Sequence, residues 1–218
     1  MNPARLLPFA ATGLVSLSHA LAWRNALGQS AWLWLGLAYA PLVVWSLAIL
    51  RRDDVLGELL RPVPGDLTKG ILVAGLCLAA LYGIAVLGIK LAPATCGRDL
   101  LGIVRVAASV STMTRGVGIV VFSLVEELVW RGAVRHTLED RVGSARAPYL
   151  ASGLFFLAMI PSLHPSLIVA AAILGAATAF VVARFRRLTI AAIVHAFFTW
   201  ITVEMILPTL WQRIQALG

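Results

Sequence analysis

The chain has 218 residues, 60% of them hydrophobic and 13% charged, with a formal net charge of +8 and a mean hydropathy of +0.90. Soluble globular domains carry about 25% charged residues, and one soluble core of this size cannot hide so much apolar side chain. A secreted domain, a nucleic-acid binder and a disordered chain are thereby excluded. What remains is an all-α, polytopic integral membrane helical bundle, because the apolar runs are continuous rather than alternating.

Seven spans of about 20 residues would use roughly 140 positions. In chain order the apolar runs between charges predict them at 6–23, 31–50, 70–92, 106–130, 148–163, 166–183 and 188–210. The first follows Arg5 as a signal peptide would. However, Leu21-Ala22-Trp23-Arg24 is a poor cleavage site and Trp23 suits an interfacial anchor, so it is taken as an uncleaved span. In the sixth, Ala171, Gly175 and Ala179 repeat every four residues, a spacing that lets a neighbouring helix approach closely. No internal repeat or linker divides the chain, and 1–218 is expected to be a single membrane domain.

All but two of the 18 basic residues (Lys69 and Lys90) are arginines, and most sit at the ends of apolar runs. That is how membrane loops are charged. Arg51, Arg52, Arg61 and Lys69, then Arg135, Arg141 and Arg146, then Arg184, Arg186 and Arg187 all fall on one side if the N-terminus is cytoplasmic. Arg24 and the segment 90–105 disagree. The arginine-, alanine- and leucine-rich usage suggests a GC-rich bacterial genome, hence the bacterial inner membrane. Cys77 and Cys96 have neither CxxC nor metal-ligand spacing.

Ionisable residues inside spans are costly and mark functional sites by default. They are His19, Arg115, Glu126, Glu127, Arg131, His195 and Glu204. On a helix Glu127 and Arg131, at i and i+4, stack on one face and can neutralise each other. Glu126 lies about 140° away from Arg131 in projection, which leaves it without a cation on its own helix and suits it to general acid–base work. His195, about two turns into the seventh span, falls at the depth of Glu126, and Thr199 shares its face. Glu204 is expected to pair with an arginine, Arg115 to cap the fourth span, and His19, without a companion, to be a packing hydrogen-bonder.

The run Glu126-Glu127-Leu128-Val129-Trp130-Arg131 resembles the EExxxR signature of the CAAX protease and bacteriocin-processing family of intramembrane endopeptidases. The resemblance covers 106–205, a protease-like core preceded by N-terminal spans. It implies Glu126 as the base that activates water, Glu127 and Arg131 as a supporting pair, and His195 with Thr199 on the oxyanion side. Two positions depart from the family. Its FxxxH signature falls on Phe155 and Met159, where a thioether replaces imidazole, and its HxxxN signature on His195 and Thr199. A thioether cannot take a proton from water. His164, five residues beyond Met159, is a further candidate if the chain folds back toward the site.

The resemblance implies no cofactor; a zinc ion remains the alternative, although Glu126 and His195 without a third ligand make a poor zinc site. The expected activity is hydrolysis of a membrane-borne protein or peptide: an exported-protein sorting tail, a bacteriocin precursor or a CAAX-like tail. The competing readings are a catalytically inactive relative acting as a membrane immunity, assembly or partner-binding protein, and a small proton-relaying transporter. The lipid bilayer is the common partner, and nucleic acid is not one.

Overall fold

The structure, a computed structural model, describes residues 3–24 and 31–215, and within these it is helical with no strand. A short 3₁₀ turn leads into α1 (Leu7–Trp23), followed by α2 (Ala31–Arg52), the one-turn α3 (Leu56–Leu60), α4 (Asp66–Leu91) and α5 (Pro93–Ala108). Then come α6 (Thr112–Glu127), α7 (Arg135–Val142), α8 (Ala147–Met159), α9 (Pro165–Phe185), α10 (Leu188–Ile201) and α11 (Leu207–Gln215). α6 runs into α7 through a π-helical stretch, Leu128–Val134, and α10 into α11 through another, Thr202–Ile206.

Five stretches are long and apolar enough to cross a membrane: Ala4–Trp23, Ala31–Arg52, Asp66–Leu91, Pro165–Phe185 and Leu188–Gln215. Ala147–Ser162 is apolar but shorter. The remaining expected span, 106–130, is corrected. The helix before it ends at Ala108, and Ser111 begins α6 by accepting the backbone N–H of Thr114 at 3.2 Å. Such a cap satisfies one of the orphan donors of a helix start. The residues 93–108 form a separate, more polar helix. α6 and its π-helical continuation bury Glu127 and Arg131, so they lack the low charge of an ordinary span.

Three apolar clusters hold the bundle. The largest joins α1, α2, α8 and the π-helical stretch through Leu7, Leu42, Leu50, Trp130 and Phe155, among others. A second joins α4, α9 and α10; a third joins α5, α11 and the end of α4. α4 and α10 approach so closely at Gly70 that a Cβ there would lie 2.8 Å from Ile193 Cβ. The six residues Val129–Val134 are all buried. A helix buried all round lies inside its bundle, which is how the charged end of α6 comes to sit among apolar neighbours.

Candidate active site

α6 delivers two adjacent glutamates and α10 delivers the histidine that joins them. The His195 Nδ1–H donates to Glu127 Oε1 at 2.8 Å. On the other side of the ring, His195 Nε2 lies 3.3 Å from Glu126 Oε2. Glu127 is also the ion-pair partner of Arg131, whose Nη1 is 3.5 Å from the same Oε1. The side chains of Glu127 and Arg131 are wholly buried, His195 is nearly so, and Glu126 is 14% exposed. The expected Glu127–Arg131 pair is therefore present, and Glu126 receives its partner from another helix.

The π-helical stretch shapes this cluster. π-helical turns recur at functional sites, where they re-aim side chains. Here the turn begins one residue after Glu127 and directs Trp130 and Arg131 into the core. The Arg131 guanidinium lies 4.6 Å from the centre of the Phe155 ring, which meets Trp130 edge-on at 5.7 Å. None of the three Arg131 nitrogens has a hydrogen-bond partner among the described residues. The arginine is held by its ion pair and an aromatic face. From α9, Gly175 stands over Arg131 and Phe155, in ordinary contact with a Cβ placed there.

Glu126, His195 and Thr199 line one cavity of about 420 Å³. Its walls are otherwise largely apolar, with Trp32, Leu35, Leu81, Ile103 and Phe122 among them. The Thr199 hydroxyl has no partner among the described residues, so it is free to donate into the cavity. Met159 is 4% exposed and lines the same space.

His164 is not brought to this site. Its Nδ1 lies 2.8 Å from Asp99 Oδ1, and its ring packs on Trp23 at 4.6 Å. Asp99 also accepts the backbone N–H of Ser166, which ties α5 to the start of α9. The fold-back needed to carry His164 to Glu126 does not occur because Pro165 starts α9 directly after it. Arg115 holds Glu204 through two hydrogen bonds, at 2.6 and 3.0 Å, so these two intramembrane charges form a separate pair.

Two residues of the first two helices join the site, Tyr39, which the sequence did not single out, and His19, which it offered only as a packing hydrogen-bonder. Tyr39, 1% exposed on α2, accepts the Trp130 Nε1–H at 3.0 Å and lies within electrostatic range of Glu126. His19, on α1, lines the cavity. An in-span histidine was a visible signal; its partners, more than a hundred residues away, were not. Among the described residues no group of three or more His, Cys, Asp or Glu is arranged to hold a metal ion.

A polytopic helical bundle that buries two glutamates, an arginine and a histidine at the wall of an apolar cavity is a membrane protein with an intramembrane polar site. Residues 108–201, which supply every member of that cluster, match the family model described as type II CAAX prenyl endopeptidase Rce1-like. No curated protein and no solved structure matches the chain.

Proposed function

We propose that the protein is an intramembrane endopeptidase that hydrolyses a peptide bond with Glu126 as general base and His195 and Thr199 on the oxyanion side. The observation that carries this reading is the bridge made by His195, whose two nitrogens face two different carboxylates. With Glu127 accepting at Nδ1, an imidazolium at position 195 presents its second N–H toward Glu126 and the cavity. Arg131 and that imidazolium balance Glu126 and Glu127, so the buried cluster is neutral overall, as a low-dielectric site requires.

Water held by Glu126 loses a proton to the carboxylate as its oxygen attacks the peptide carbonyl. As Glu126 becomes neutral, the His195 Nε2–H is released to the developing oxyanion, and the Thr199 hydroxyl donates a second hydrogen bond. Preorganised donors of this kind are worth about 10²–10³ in rate each. Glu126 then returns its proton to the leaving amine. The apolar cavity suits a membrane-borne chain: a sorting tail of an exported protein, a bacteriocin precursor or a CAAX-like tail.

A second reading, a catalytically silent relative that binds a membrane partner, draws support from Met159 at the cavity wall. The two are separated by comparing membrane-proteome termini in cells expressing wild type, Glu126→Ala or His195→Ala. Termini present with wild type and lost with both variants are expected. Identical termini in all three strains would defeat the peptidase reading and favour the silent one.

A further inference from the structure

The histidines of the chain differ in how their rings are satisfied. His136 Nε2 faces Asp53 at 2.9 Å, His164 faces Asp99, and His195 lies between two glutamates. His19 has no carboxylate bonded to it. It is 4% exposed, and its one hydrogen bond runs from Nδ1–H to the backbone carbonyl of Val15 at 2.9 Å. A carbonyl only accepts, so Nδ1 carries the proton and the neutral ring keeps its lone pair on Nε2. Nε2 makes no hydrogen bond to the described residues and lies in the lining of the cavity.

That ring forms part of the wall of the cavity that holds Glu126 and His195, and it lies within electrostatic range of Glu126. An acceptor left facing a largely apolar cavity is paired in native structures with protein, water or ligand. Water in the cavity is a donor of the right kind. Met159, on α8, lines the cavity too, and α1 packs directly against α8. The side chain at 159 cannot take or orient a proton, while an imidazole from the neighbouring helix can.

We infer that His19 is a catalytic residue of this site, its Nε2 accepting a hydrogen bond from the attacking water while Glu126 takes the water's other proton. The inference rests on the peptidase reading above. The water oxygen forms its bond to the carbonyl carbon, and one water proton passes to Glu126. Glu126 delivers that proton to the amine nitrogen as the C–N bond breaks. The second proton stays with the new carboxyl group, held at His19 until product leaves. The imidazole missing at 159 is thus supplied from α1, outside the segment that matches the family.

The test uses the full-length protein in its membrane and scores termini that depend on Glu126. His19→Asn keeps an amide N–H able to reach the Val15 carbonyl and removes the Nε2 lone pair. It is expected to lower the rate at which those termini appear by about 100-fold or more, with wild-type abundance and thermal unfolding. Adding Met159→His, which places an imidazole on the same cavity from α8, is expected to recover at least about tenfold of that loss, which a purely structural role for His19 would not allow. If His19→Asn stays within about threefold of wild type while Glu126→Ala abolishes the termini, this inference is overturned and the peptidase reading stands, since a general base or water-orienting group is worth more than that. If Glu126→Ala leaves the termini unchanged, both fall. Should His19→Asn fail to accumulate, His19→Gln with and without Met159→His decides: a gain from the second substitution supports the role, and equal activity overturns it.

Discussion

Arg131 gives the sharpest test of the buried cluster. Its guanidinium is wholly buried, 3.5 Å from Glu127 Oε1 and 4.6 Å from the Phe155 ring centre. Arg131→Met preserves most of the length and volume of the side chain and removes its charge. At an effective dielectric of about 20, a pair at this separation attracts by about 5 kcal/mol. Removing one partner of a buried pair costs about 3–5 kcal/mol in practice, because the other charge is left uncompensated. For a chain of this size that corresponds to a fall in Tm of about 6–20 °C. Glu127→Gln/Arg131→Met should recover most of this, because the carboxamide oxygen still accepts the His195 Nδ1–H and no buried charge remains unbalanced. Thermal unfolding in detergent micelles, followed by tryptophan fluorescence across wild type, both singles and the double, measures the coupling directly. Arg131→Met as stable as wild type, or a double variant as unstable as the two singles summed, would refute the reasoning.

Three further outcomes follow from neighbouring residues. Tyr39→Phe leaves the buried Trp130 Nε1–H without its acceptor, and the same unfolding assay should show a loss of about 1–3 kcal/mol; a change within error would mean the indole finds another partner. Thr199→Val removes the hydroxyl but keeps the shape, so Glu126-dependent cleavage should fall by about 10²-fold or more with Tm unchanged; unchanged cleavage would remove Thr199 from the oxyanion side. Asp53, just beyond the end of α2, is held below the ordinary carboxylate range by the hydrogen bond from Arg52 and then by His136. A carboxylate lowered on folding stabilises above that range, and its contribution fades as pH falls through the lowered value. The Tm gap between wild type and Asp53→Asn should therefore be open at neutral pH and close in acid, and a gap that widens in acid would contradict this.

The membrane bundle was legible wherever an apolar run was bounded by charge or proline. The spans expected at 6–23, 31–50 and 166–183 differ from α1, α2 and α9 by no more than two residues at any end. The fourth was set too early because Val106, Ala107 and Ala108 run apolar into Ser109–Thr112, and hydropathy does not register that Ser111 starts a new helix. The π-helical turns left no trace in composition, since they change hydrogen-bond register rather than residue type. Within the site, Glu126, Glu127, Arg131 and His195 stood out as charges at membrane depth. Their bridging through both imidazole nitrogens depends on how closely α6 and α10 pack, which no spacing along the chain encodes. Tyr39 escaped notice because an aromatic hydroxyl in a span is not costly enough to be conspicuous.

The matched segment, 108–201, does not make this site alone. α1 and α2 lie outside it, yet they pack through Leu7, Leu42 and Leu50 against Trp130 and Phe155, the residues that back Arg131. α2 also supplies the hydroxyl that accepts the Trp130 Nε1–H. α1 supplies an imidazole to the cavity wall that Met159 also lines. Two carboxylates, a guanidinium and an imidazole can share a buried site only where opposite charges lie close enough to offset the hydration they lose. In this chain part of the burial around them comes from the N-terminal helices. A role for His19 follows from the same packing: the helices that shut the site in are the ones with side chains left over to face it.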